Sequence, residues 1–276
     1  MVTRNSFLIL AAVFVIVVVL LFPVYWMVVT SVLPTSVVLS RQPPLIPPLE
    51  HVSFAAYPAI FERRPILLWF SNTMLVTIGA AVLSMIISSL AGYSLSRFRT
   101  VAQDIMGYSL LLSKILPGSL IVIPVFIIFN SLHLINNLWG LILINTATIV
   151  PFATWMMKSF FDSIPKELEQ AAMVDGCTQL GALRTVIAPL AKPGLAATAI
   201  YAAVLTWSDF VFARTLVNDP DQWLLTVGLA SFVGEYLVDW TSLMAAGAIS
   251  LVPIFVLFLL LEPFLVSGMT AGGVKG

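Results

Sequence analysis

Charged side chains are scarce in this sequence, so each one set in an apolar run is a candidate for a specific task. Of 276 residues, 60% are hydrophobic and 9% charged, and the formal net charge is zero. Lys114 is the only charge between Ile105 and Met157. An ammonium at the centre of a bilayer costs about 2.5–3.5 kcal/mol or more, which makes such a residue a functional candidate. Counted from Ile105, it lies roughly 14 Å along a helix and can line a solute path. If the span starts later, the same side chain snorkels to the membrane surface. Asp209 follows Trp207 with one residue between them. A carboxylate that accepts hydroxyl protons, beside an indole that stacks on an apolar ring face, is a pairing suited to a sugar. An interfacial tryptophan next to a solvated acid fits the same residues.

No catalytic residue is assigned. The chain has no GxxxxGK[ST] loop to cradle phosphates, and neither a nucleophile elbow nor HExxH nor a paired-carboxylate site. A single cysteine, Cys177, excludes a disulfide framework and a Cys-rich metal site. His51 and His133 are too far apart in sequence to suggest a histidine metal centre. Zero net charge argues against nucleic-acid binding, which needs a basic footprint.

The one long polar stretch, Lys158 to Pro193, carries a different kind of chemistry. Pro165 suits a helix start, where its missing N–H costs nothing. Glu167 and Glu169 follow near the positive end of the helix dipole. Gly176 comes directly after Asp175, where a left-handed C-cap is expected. The spacing predicts a helix from Pro165 to Asp175, with Leu168, Ala171, Ala172 and Asp175 at i, i+3, i+4 and i+7 on one face. Two alanines there admit another surface at close range. A second helix is expected from Thr178 to Ala188, stopped by Pro189. The whole reads as a docking element between membrane spans, and an ordinary amphipathic loop helix remains the plainer alternative.

These residues are positioned by apolar segments. A soluble domain carries about 25% charged residues, so this composition belongs to a polytopic membrane protein embedded in a lipid bilayer. Spans are expected at Phe7–Val29, Asn72–Leu95, Ile105–Ser131, Trp139–Met157, Gly194–Val211 and Thr241–Leu261. The first lacks a short core and small-residue cleavage site, so it is read as retained. His133, Asn136 and Asn137 split the long apolar run into spans three and four. Asn218-Asp219-Pro220-Asp221 signals a turn in the second polar loop. Six spans put both termini on one side. Arg4, Arg97, Arg99, Lys158, Lys166, Arg184, Lys192 and Lys275 share that side, against Arg41, Arg63, Arg64 and Arg214 opposite. The excess of basic residues makes termini and docking loop cytoplasmic.

Several blocks in order carry a resemblance to a known family. Gln170-Ala171-Ala172, then Gly176, Val186 and Ala188-Pro189, is similar to the EAA loop of permeases in binding-protein-dependent ABC importers. Gln170, Val186 and Ala188 depart from the family's Glu, Ile and Leu. From Asn72 onward the chain resembles the MalG-type permease of carbohydrate importers. The blocks are SLAGYSLSRF (89–98), LPGSLIVIP (116–124), WGLIL (139–143), FFDSIPKELEQAAMVDG (160–176), PLAKPGLA (189–196), TWSDF (206–210), LTVGLASFVGEY (225–236) and SGMTAGGVKG (267–276).

The resemblance implies an all-α polytopic membrane protein of six transmembrane helices, a single permease domain over 1–276. Within it lie a first span (7–29), core spans (72–266), a cytoplasmic coupling loop (158–193) between helices four and five, and a cytoplasmic tail (267–276). Pro165, Glu167, Leu168, Glu169, Gln170, Ala171, Ala172, Asp175 and Gly176 would contact the ATPase, as would Gly272, Gly273, Val274 and Lys275 in the tail. Gly228, Leu229, Ala230, Ser231 and Phe232 would reach the extracytoplasmic sugar-binding protein or lipoprotein. A frayed terminus and an amphipathic helix on the membrane are the plainer readings of those last two segments. The expected function is passage of a sugar, a di- or oligosaccharide, with a polyol or glycerol phosphate as a variant. The expected partners are a homologous MalF-like second permease and a dimer of ATPase subunits. No cofactor is expected in this chain, because ATP and magnesium would sit in the ATPase. The location implied is a bacterial inner membrane. The rival is a secondary transporter or channel that works without ATP; internal repeats of the kind such carriers show are not evident.

Overall fold

A computed structural model describes residues 4–98, 100–234 and 238–272. The expectations at Arg99 and at Gly273, Val274 and Lys275 therefore lie outside the described residues. The named helices are α1 (Arg4–Ser31), α2 (Ala56–Arg63), α3 (Ile66–Arg97), α4 (Val101–Leu112), α5 (Gly118–Ser131) and α6 (Leu138–Asp162). They continue with α7 (Lys166–Val174), α8 (Gln179–Leu190), α9 (Lys192–Trp207), α10 (Val211–Leu216), α11 (Leu225–Ala230) and α12 (Trp240–Gly272). Among the described residues there is no strand, only an isolated bridge between Val233 and Val238.

Among the described residues four helices are long and apolar enough to cross a membrane: Leu8–Ser31 within α1, then α3, α6 and Trp240–Leu265 within α12. The pair α8 and α9, bent by 80°, makes a fifth if it is one broken span. Six unbroken spans are not what forms. The expected third span is divided by residues 113–117 into α4 and α5, because Pro117 cannot continue a helix and instead caps the next one. The fifth ends at Trp207, short of the expected Val211. The sixth runs on to Gly272 through Pro253 and Pro263, so the expected tail begins as helix.

Two compact units make up the chain. One comprises the N-terminal segment to Leu68 with Gly228–Val252. Its α1 is lined by exposed apolar side chains from Leu8 to Leu21, a surface suited to hydrocarbon. In the same unit Thr241 Oγ1 donates to the Leu33 carbonyl (2.9 Å), and the hydroxyls of Ser31 and Tyr57 lie 2.8 Å apart.

The other unit, Trp69–Val227 with the segment from Pro253, holds the core spans. At one end the loops lock together through side chains. His133 and Asn136 take positive φ (56° and 53°) and turn α5 back into α6, which Asn137 caps by accepting from Trp139 N–H (2.9 Å). Asn136 Oδ1 also accepts from the backbone of Asn218 and Asp219 (2.7 and 3.1 Å). Asn72 Nδ2 donates to the Asp221 and Trp223 carbonyls, and Trp69 Nε1 to that of Pro220. Beneath them Val76, Leu141, Phe212, Leu216 and Leu224 form an apolar core.

Toward the opposite end α3 and α6 touch at backbone distance. A Cβ on Gly92 would lie 2.8 Å from Met157 Cβ and 2.9 Å from both Lys158 N and Thr154 O. Only glycine permits that approach. Thr100 then opens α4 with a reciprocal capping box to Gln103.

Candidate functional site

The polar stretch folds largely as its residue types dictate. Pro165 is the N-cap of α7 and Asp175 its C-cap. Gly176 follows at φ +93°, the left-handed conformation expected there. Its N–H donates to the Met173 carbonyl (3.1 Å) and that of Cys177 to Ala172 (3.0 Å), closing the helix end. Thr178 then caps α8 by accepting from Gly181 N–H (3.1 Å). The helix runs past Pro189 to Leu190 instead of stopping, and a π-turn occupies Leu183–Ile187.

The proposed face of α7 is divided in use. Leu168, Ala171 and Asp175 are exposed, while Ala172 packs inward. Glu167 and Gln170 are exposed as well. Sequence reasoning missed the apolar groups beside them: Met173, Val174 and Leu180 are exposed too, Val174 at 87%. Aliphatic side chains left uncovered in a polar loop signal a partner surface.

Glu169 does something its position near the helix dipole did not suggest. It is buried, and Arg97 Nε donates to its Oε2 at 2.7 Å. The hydroxyl of Tyr93 donates to its other oxygen. Arg97 extends further, giving Nη1 to the Phe161 carbonyl (3.0 Å) and Nη2 to that of Ile164 (3.3 Å). Alongside, Asp162 accepts from Ser96 (2.7 Å) and Lys158 (2.6 Å). Below the polar groups lies an apolar cluster of Tyr93, Met157, Phe161, Ile164, Leu183 and Ile187. Arg97 counted in the sequence only toward topology. Its guanidinium meets a residue 72 positions away, a pairing no local pattern announces.

A second polar locus lies within the spans. A cavity of about 380 Å³ is lined by Ser113, Lys114, Asn145, Thr148, Asp209 and Phe212, among others. Lys114 falls in the break between α4 and α5. Asp209 is held in place: Asn145 Nδ2 donates to its Oδ2 (3.1 Å) and Phe212 N–H to its Oδ1 (3.2 Å). Thr226 Oγ1 donates to its carbonyl (2.6 Å). So Lys114 and Asp209 share one cavity. Trp207 does not join them. It is buried, meets Phe70 edge-on at 5.7 Å, and lines a separate apolar cavity of about 260 Å³ with Met74, Thr77 and Pro253. Residues two apart across a helix end do not face the same way. The sugar-stacking pair expected from sequence is thus separated, and Asn145 is the neighbour of Asp209 that sequence reasoning passed over.

The remaining expected sites are placed as follows. Gly228, Leu229 and Ala230 end α11, and Ser231 donates to the Gly228 carbonyl (2.6 Å). Phe232 is turned inward, with the Arg64 guanidinium 5.6 Å from its ring centre. Gly272 is the last residue of α12.

Comparison with known proteins bears on the family and the fold. Residues 84–270 match the model of the binding-protein-dependent transport system inner membrane component. A sulfoquinovosyl glycerol transport system permease protein from Agrobacterium fabrum is 35% identical over 93% of this chain and 89% of the relative. A diacetylchitobiose uptake system permease protein from Streptomyces coelicolor is 33% identical over 93% and 92%. The fold matches a chain of a bacterial ABC transporter involved in import of the acidic polysaccharide alginate, with a TM-score of 0.80, 22% identity, and coverage of 95% and 98%. With the matched segment taking in α6 to α11 and the loop built on α7, this chain belongs to the family of inner-membrane components of binding-protein-dependent transport systems.

Proposed function

We propose that this permease subunit forms half of the transmembrane path of an ATP-driven importer for a di- or oligosaccharide. A homologous second permease supplies the other half, and an extracytoplasmic binding protein delivers the sugar. A dimer of ATPase subunits holds ATP and magnesium and drives the cycle through α7 from the cytoplasm. The carrying observation is α7 itself: a short rod, closed by Gly176, whose exposed Leu168 and Ala171 have apolar company in Met173 and Val174. The names of the relatives, all permeases of transport or uptake systems for saccharide-containing solutes in the two cases above, favour this reading over an ATP-independent carrier. The cavity with Lys114 and Asp209 supplies a cation and an acceptor for hydroxyl groups and is the proposed stretch of the path in this subunit.

A rigid rod set against a partner transmits rigid-body motion, and the spans on either side then exchange between two arrangements. Co-purification tests the docking. Ala171→Trp places bulk on an exposed position, so the permease should fold, while its affinity for the ATPase should fall on the order of tenfold or more. A complex that binds the ATPase as tightly as wild type would overturn the docking face. Ligand screening on the cognate binding protein tests the substrate class, with a saccharide as the expected hit.

A further inference from the structure

We infer that Arg97 is a positioning residue for energy coupling: it fastens α7 to the last turns of α3 and α6, so that these three helices move as one body. The inference rests on the proposed docking of an ATPase against α7.

Three links leave α7, and they differ in kind. Toward α6 the chain connects directly through residues 163–165. Toward α9 it passes through the π-turn at Leu183–Ile187 and the 80° bend between α8 and α9. A wide turn and a sharp corner interrupt the regular hydrogen-bond ladder of a helix. Toward α3 there is no nearby covalent route, since Arg97 and Glu169 lie 72 residues apart. That third link is made by side chains, and its geometry is tight. Both carboxylate oxygens of Glu169 are engaged, one by Arg97 and one by Tyr93. The planar guanidinium also reaches two carbonyls at the end of α6, so one side chain holds three elements at once. The Arg97 and Glu169 side chains are only 5% and 6% exposed, so water does not compete for these bonds. An exposed ion pair would slip and contribute little. This one cannot slip without stranding a charge away from water.

The close contact at Gly92 extends the same body along α3 and α6. A push on α7 therefore reaches two spans through buried contacts, and α9 is itself packed on α6, since a Cβ on Gly194 would strike the Phe160 ring. The residues that face the cavity from α6, Asn145 and Thr148, would be carried along.

The test uses the complete transporter in proteoliposomes. Cys177, the sole native thiol, is changed to serine, and spin labels are placed at Lys166→Cys on α7 and at the exposed Leu90→Cys on α3. A second pair joins Lys166→Cys to the exposed Val204→Cys on α9. Between nucleotide-free and ATP-trapped states the Lys166–Leu90 distance should stay constant, and the Lys166–Val204 distance reports whether α9 travels with the same body. A change in the first by about one helical turn, roughly 5 Å, overturns the inference. In Glu169→Gln the charge is lost and the shape kept. Sugar imported per ATP hydrolysed should then fall about tenfold, which equals 1.4 kcal/mol of coupling. An unchanged ratio in that variant also overturns it. If the variant fails to assemble, the wild-type distances still decide. Co-purification of the ATPase with the labelled wild type reports separately on the docking reading.

Discussion

Two carboxylates, Glu169 buried in the loop and Asp209 half-buried among the spans, show how the same group is put to opposite uses. Glu169 meets a guanidinium on one oxygen and a phenol on the other. Asp209 meets an amide and the backbone N–H groups of Phe212 and Ala213, and among the described residues no ion pair is formed with it. A carboxylate has about four acceptor sites, so Asp209 keeps capacity that faces a cavity shared with Lys114. Glu169 is neutralised and buried beneath a helix. The first arrangement holds three elements in register; the second holds an acceptor ready for hydroxyls. Charge compensation together with deeper burial separates a joint from a binding group here.

The contrast can be broken most severely at Arg97. Arg97→Ala leaves Glu169 charged, buried and without its cation, a loss of about 3–5 kcal/mol. Thermal unfolding of the purified permease should register it as a large drop in Tm. Replacing both partners, Arg97→Met with Glu169→Met, should recover most of that loss, and a double variant as unstable as the single would refute the account of compensation. Asp209→Ala comes next. It leaves the Asn145 amide and the Phe212 N–H short of an acceptor, at about 1–3 kcal/mol. Its signature is different: import should fall while ATPase association stays at the wild-type level. Loss of ATPase binding in that variant would mean that Asp209 is part of the joint after all. The smallest effect is expected at Gly176. No atom lies within 4 Å of an added Cβ, so Gly176→Val meets only the backbone penalty of a left-handed residue, about 1–2 kcal/mol. Import per ATP should drop more than Tm does, because the end of α7 shifts. Equal import in the valine variant would show that the cap is dispensable for coupling.

Much of this was legible in the sequence. Pro165, Asp175 and Gly176 mark the ends of α7 through backbone rules that act over a few residues, and the structure places them as caps. The turn at His133 and Asn136 was equally readable, since asparagine and histidine tolerate positive φ. The divided third span was not read, although Pro117-Gly118 was in view, because apolar run length outweighed the local breaker. The inward rotation of Glu169 was invisible, since it depends on Arg97 arriving from another span. So was the parting of Trp207 from Asp209, which follows from where α9 ends and not from how close the two are in the chain. Gln170 stands where the resembling family has Glu, while Glu169 beside it forms the internal pair.

The π-turn at Leu183–Ile187 sets the phase of everything after it. A turn of this type lodges one residue more than an ordinary α-turn needs. If the same residues were wound instead as a plain α-helix, the extra one would rotate the downstream segment by about 100°. Alanines and threonines of Lys192–Trp207 that now pack inward would be aimed at the hydrocarbon, and aliphatic groups such as Val204 and Leu205 would be driven into the interior. The irregularity is thus a spacer: it tunes which side of a membrane helix looks at its neighbours.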